Sequence, residues 1–236
     1  MCLLLALCAT SSNAVAQRNP PALAPTTWVV GFSGNFTQQN HILSSEKQPV
    51  FLTGFPDTLK NAINTGLILN AGIMLNSHFY IGLDAQHTWQ SRQPKQPVGD
   101  TSTTTHALLG VQMRYYLPIT EKFTAYAEAE CGYMTDNVDK KFYRFIQNNQ
   151  TAAPLLEYTS TIRTSGIGGY AGIGAMYMIH KHIGIDAGVR FQGSSTKGQR
   201  TDNIYESLPL PTIITYDYLY KTTGLGARLG LQFFIF

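Results

Sequence analysis

Ile183-Gly184-Ile185-Asp186-Ala187-Gly188-Val189-Arg190-Phe191-Gln192-Gly193 alternates in character over its whole length. Ile183, Ile185, Ala187, Val189 and Phe191 share one parity, while Gly184, Asp186, Gly188, Arg190 and Gln192 share the other. Successive side chains of a β-strand point to opposite faces, so this stretch is a strand with one wholly apolar face. The second face decides what the apolar one looks at. On a soluble barrel with an apolar interior that face meets water, and Lys, Glu and Thr fill it. Glycine with isolated charges suits a narrow lumen in which side chains from opposite walls compete for space. The apolar face then looks outward, into hydrocarbon.

The same pattern repeats on both sides of this stretch. Towards the C-terminus, a long segment reaches about residue 222, and residues 223–236 set Leu225, Ala227, Leu229, Leu231 and Phe233 against Gly224, Gly226, Arg228, Gly230 and Gln232. Towards the N-terminus, the turn His180-Lys181-His182 joins a strand at 165–179, preceded by a long segment at 135–164 and a strand at 123–134. Pro118 to Lys122 turns the chain back to a strand at 104–116, and a polar stretch at 91–102 leads to one at 79–90. The turn Asn76-Ser77-His78 follows a strand at 64–75, and a polar stretch at 38–61 separates that from the first strand, 28–36. Long and short connections alternate, as in hairpins that cross a bilayer with tight periplasmic turns and extended outer loops. The expected fold is all-β: a closed antiparallel transmembrane barrel of about eight strands, each long enough to span at a tilt.

Composition agrees. Charged residues are 13% of the 236, with 21 Gly and 13 Tyr, and beyond the N-terminus no apolar run approaches the length of a membrane helix. The formal charge of +3 is small and its Lys and Arg are scattered, which gives no case for nucleic acid. Residues 1–16 read as a cleaved signal peptide, with Leu3 to Leu7 as the apolar core and Ala14-Val15-Ala16 as the cleavage site. The missing positive n-region is what an internal Met1 in a longer reading frame leaves. A Pro-rich linker occupies 17–26 and the barrel domain 27–236. Cys2 and Cys8 fall in the signal, so Cys131 has no partner for a disulfide.

Aromatic residues fall at the ends of the apolar faces. With the first strand running upward, Trp28, Phe79, Tyr115, Phe123, Tyr177 and Phe233 form a lower belt, and Phe36, Trp89, Tyr133 and Phe191 an upper one. The lumen parity carries Asp84, Arg114, Glu128, Glu130, Asp186, Arg190 and Arg228. Four acids nearly balance three arginines, and buried charge is costly unless paired, so a salt-bridge network filling the barrel is expected. Asp84, Glu128 and Arg228 lie at equal sequence distance from the lower belt, which suggests one shared layer.

This layout resembles the small bacterial outer-membrane barrel superfamily, which includes the OmpA transmembrane domain, OmpX and the outer membrane protein beta-barrel domain families, over residues 27 to 236. Gly230-Leu231-Gln232-Phe233-Phe234-Ile235-Phe236 resembles the C-terminal strand signal read by the barrel assembly machinery, except that Phe236 falls on the opposite parity to Leu229, Leu231, Phe233 and Ile235. The resemblance implies outer-membrane localisation, contact with lipopolysaccharide, and a structural or surface-interaction role through loops that meet an extracellular protein or glycan. It implies no cofactor. A narrow pore gated by exchange of the lumen pairs is the alternative, and a lipid-modifying enzyme a further one. For the enzyme, His87 with Ser91 is the one arrangement near the upper rim; elsewhere the histidines sit in turns or the lumen. His180 and His182 offer at most two metal ligands. The Tyr-rich run 208–220 is β-prone; it either packs as a hairpin on its neighbours or extends strand eight above the membrane as a protruding ribbon.

Overall fold

In the computed structural model the chain closes eight antiparallel strands into a barrel, β1 pairing with β8. The structure describes residues 23–44, 58–92, 101–148, 151–205 and 212–236. Residues 1–16, most of the 17–26 linker and 208–211 lie outside them. The strands are β1 (Trp28–Ser44), β2 (Thr58–Met74), β3 (Phe79–Arg92), β4 (Thr101–Pro118), β5 (Phe123–Asn148), β6 (Thr151–His180), β7 (Ile183–Ile204) and β8 (Thr212–Ile235).

Burial follows the two parities. On β4 the outward residues Leu109, Val111, Met113 and Tyr115 are exposed, while His106, Gln112, Arg114 and Tyr116 on the other parity are buried. A wall with its large apolar side chains outside and its arginines inside is stable only where the outer medium is hydrocarbon. The outward apolar band of β4 covers residues 107–117, which matches the ~9–11 residues of a tilted membrane strand.

The strands are longer than hydrophobic alternation suggests. The segment 135–164, expected as a loop, is mostly the paired continuation of β5 and β6, and the two remain in register to Asn148 and Thr151 past one irregularity at Phe142/Tyr143. Likewise β7 continues to Ile204 against β8, which begins at Thr212. Above the membrane the outer face needs no apolar side chains, so the period-2 signal fades while the hydrogen-bonded ladder continues. At ~3.3 Å per residue, the stretch of β5 beyond Tyr133 adds ~50 Å along the strand. Among the described residues the wall is uneven: the β2–β3 pairing runs only as far as Thr65 with Trp89.

The periplasmic mouth also departs from expectation. The lower lumen is apolar: Val29, Met74, Tyr80, Tyr116, Tyr126, Met176, Met178 and Phe234 pack around Leu23, which is fully buried. The end of the expected linker is thus part of the barrel. Thr26 and Thr27 pair their backbones with Met74 at 2.8 and 2.9 Å, and Thr26 takes a positive φ of 65° as the chain enters β1.

Candidate functional site

The lumen is built in layers, and the cross-strand register explains how bulky charged side chains fit. Asp84 lies opposite Gly110, Asp186 opposite Gly230, and Arg228 opposite Gly188. Arg190 lies between Gly172 and Gly226. The space that a Cβ would take at Gly172 lies against Arg190, while Glu130 fills that at Gly110, Tyr126 that at Gly188 and Ser33 that at Gly230.

Above the apolar plug, Arg114 donates through Nε to Glu128 at 3.1 Å and through Nη1 to Asp186 at 3.2 Å. Arg228 reaches the same two carboxylates, at 3.1 Å to Glu128 and 2.9 Å to Asp186. Asp186 also accepts from the Tyr126 hydroxyl at 2.5 Å and from the Gln232 amide at 3.0 Å. Gln112 donates to Glu128 at 3.3 Å and to the Tyr170 hydroxyl at 2.5 Å. Two arginines and two acids thus form a closed square, nearly free of solvent contact.

The remaining three lumen charges form the next layer. Arg190 donates to Gln86 at 3.3 Å and stacks on Tyr170, 4.4 Å from the ring centre. Asp84 and Glu130 lie buried against one another in the field of Arg190, with the Tyr170 hydroxyl beside Glu130. Arg114 and Arg228 of the square also act on Asp84 electrostatically, though neither donates a hydrogen bond to it. Strands tilt and stagger around a barrel, so equal sequence distance from a belt does not by itself set equal height. A small cavity above Gln86 and Tyr170 has room for about one water molecule.

Higher layers use residues that lay beyond the expected strands. Asp136 accepts from Thr196 at 2.5 Å and lies 2.5 Å from Nδ1 of His106. The order is hydroxyl, carboxylate, imidazole. In this order the imidazole does not touch the Thr196 hydroxyl, so Thr196 is not set up as a nucleophile. Val138, Ile162, Tyr218 and Tyr220 then form a second apolar layer. Arg200 closes on Asp202 at 2.9 Å, and Asp202 also accepts from Tyr216 at 2.9 Å. Continuing the lumen parity of β5 past Met134 to Asp136 and Val138 was the available signal for these layers.

The outer face is banded. Trp28, Tyr115, Phe123, Tyr177 and Phe233 are exposed towards the periplasmic end and Phe79 is half-buried there; Phe36, Trp89, Tyr133 and Phe191 are exposed at the other end. Above Tyr133 the outward residues turn polar, and Arg163 pairs with Asp139 at 3.2 Å with both side chains about half exposed. His87 points outward beside Trp89, ring centres 5.9 Å apart, and the Ser91 side chain lies outside the described residues. His180 and His182 lie 5.6 Å apart in the periplasmic turn, where His182 packs on Phe236 at 4.8 Å. Among the described residues no three metal-ligating side chains cluster.

The sequence profile of the family described as "Outer membrane protein beta-barrel domain" matches residues 2–234. No curated protein sequence matches the chain. Among solved structures, the outer membrane protein OprG from Pseudomonas aeruginosa is similar at 12% identity and a TM-score of 0.51, covering 90% of this chain and 97% of that one. The outer membrane protease OmpT from Escherichia coli is similar at 8% identity and a TM-score of 0.53, covering 95% of this chain and 100% of that one. At such identities the likeness is one of fold.

Proposed function

Because the chain belongs to the outer membrane protein beta-barrel domain family and resides in the bacterial outer membrane, we propose that it is a closed anchor whose working surface is the β-extension above the bilayer. In this reading residues 1–16 are removed on export, the C-terminal strand is presented to the assembly machinery, and the outer leaflet's lipopolysaccharide surrounds the band. The observation that carries the proposal is the continuation of β5 to β8 as a paired sheet beyond the upper aromatic belt, with a polar outer face and side-chain layers inside. Long flexible loops are not needed to hold a recognition surface when the sheet itself projects. Exposed sheet edges and tyrosines at such a tip suit an extracellular protein or glycan.

The packed lumen argues against the pore. A solute would have to displace the Arg–Glu–Asp square and then the plug around Leu23, two barriers of opposite chemistry. The enzyme reading gains nothing from His87, whose ring lies tilted beside Trp89 on the outer face.

The test replaces residues 138–162 by an Asn-Gly turn between the paired Asn137 and Arg163, a connection suited to a two-residue hairpin. Cells displaying either form are passed over immobilised matrix proteins and sulfated glycans, and the purified proteins are placed in liposomes for sugar-swelling assays. The expected result is retained insertion, lost adhesion and no swelling by the intact chain. Swelling by the intact chain, or equal adhesion by both forms, overturns the proposal.

A further inference from the structure

One place on the lipid-facing wall is not filled by side chains. Gly169 of β6 and Gly193 of β7 face each other across the ladder on the outward parity. The bare floor they leave is a shallow groove of about 450 Å³, bordered by Cys131, Ile167, Ala171 and Phe191 and opening upward at Ser194 and Ser195. Phe191 belongs to the upper belt and Gly193 follows it by one outward position, so the groove floor lies at the height of that belt, where the hydrocarbon gives way to headgroups.

Directly above it the wall becomes cationic. Lys221 pairs across the ladder with Ser195, and Lys197 follows Ser195 by one outward position. The two lysines are diagonal neighbours, ~7–8 Å apart by sheet geometry. Both are exposed, and neither makes an ion pair among the described residues. Arg163 extends the row but is engaged by Asp139; Asp217, one step higher on β8, is the other acid nearby. At the same height the described outward residues of β1, β4 and β5 are uncharged: Gln38, Asn40, Thr103, Thr105, Thr135 and Asn137.

From this conjunction we propose that the β6–β8 wall holds one molecule of the outer leaflet's phosphorylated, multiply acylated glycolipid, with an acyl chain in the Gly169–Gly193 groove and a phosphate on Lys197 and Lys221. The occupant follows from position and charge. A groove that opens sideways at the edge of the hydrocarbon is met by the acyl chains of the leaflet beside it, and two exposed ammonium groups above it, against the single acid Asp217 diagonal to Lys197, call for an anionic headgroup. The site is independent of whatever the extension binds.

The test is titration of the purified full chain in detergent with fluorescent diphosphoryl lipid A. Lys197→Gln with Lys221→Gln should weaken binding about tenfold or more, and Gly193→Val should weaken it by filling the groove. A Cβ at 193 meets only the Thr222 backbone oxygen, at 3.7 Å, and the side chain grows outward from the wall, so the barrel itself accommodates it. Lys141→Gln, higher on β5, should change nothing. Dephosphorylated lipid A should bind as weakly to the intact chain as the phosphorylated form does to the double variant, and inorganic phosphate should not compete. Equal binding by the intact chain and the double variant, indifference to the lipid phosphates, or unaltered binding by Gly193→Val each overturns the proposal.

Discussion

Replacing Asp186 by Asn keeps the size of the side chain and removes the charge on which the lumen square closes. Asp186 takes hydrogen bonds from Arg114, Arg228, Tyr126 and Gln232. In the variant Glu128 alone must neutralise both guanidinium groups, and the new amide turns a donor towards donors. Removing one partner of a buried ion pair costs ~3–5 kcal/mol, because the surviving charge stays desolvated. The loss should fall in that range. Asp139→Asn is the control: its pair with Arg163 is half exposed, so water and salt screen it, and its loss should stay under ~1 kcal/mol. Urea unfolding in phospholipid vesicles measures both, with Trp28 and Trp89 as fluorophores at opposite edges of the band. An Asp186→Asn midpoint within ~1 kcal/mol of the parent at unchanged slope refutes the square as a structural brace. A partial return of stability in Asp186→Leu/Arg228→Met separates the cost of stranded charge from the value of the pair itself.

Three further outcomes test the placement of faces and layers. Leu83→Arg, exposed in mid-band, should cost ~2–4 kcal/mol in vesicles, whereas Asn137→Arg, above the upper belt, should stay within ~0.5 kcal/mol; the same urea titration reads both. Gly132→Val should lower folding yield on gels that separate folded from unfolded barrel, because its Cβ would overlap the Leu109 carbonyl oxygen and the Gly110 backbone; Gly193→Val should fold as the parent does. Leu23→Ser should loosen the periplasmic plug, seen as faster hydrogen exchange at the Thr26 and Met74 amides while the amides of β5 keep their protection.

The eight membrane crossings were legible because hydrocarbon demands an unbroken apolar parity, and Ile183 to Phe191 or Leu225 to Phe233 supply it. Beyond the upper belt that demand ends. Thr135, Asn137 and Asp139 alternate with Asp136, Val138 and Lys140, so neither face is uniformly apolar and the strand reads as loop. The lower plug was hidden for a related reason. Tyr80, Tyr116 and Phe234 sit on the lumen parity, which carries glycine and charge at mid-height, and only register shows them converging on Leu23. The lumen charges were visible as residue types, but their partners were not. Glu128 meets Arg114 directly across β4 and β5, whereas Asp84 lies opposite Asn70 and Gly110 and takes no hydrogen bond from the square's arginines.

The asymmetry of the wall limits where function can reside. The described pairing of β2 with β3 stops at the upper belt, while that of β5 with β6 continues to its hairpin and that of β7 with β8 almost as far. A barrel serving only as a conduit gains nothing from one tall side, since transport depends on the lumen, where the described residues pack a charged square above an apolar layer. A barrel serving as a support gains a directed platform. The outward lysines above the Gly169–Gly193 groove stand at the foot of that same tall side. A lipid held there would bear on β7 and β8 where they leave the bilayer, the point at which a projecting sheet most needs a fixed orientation.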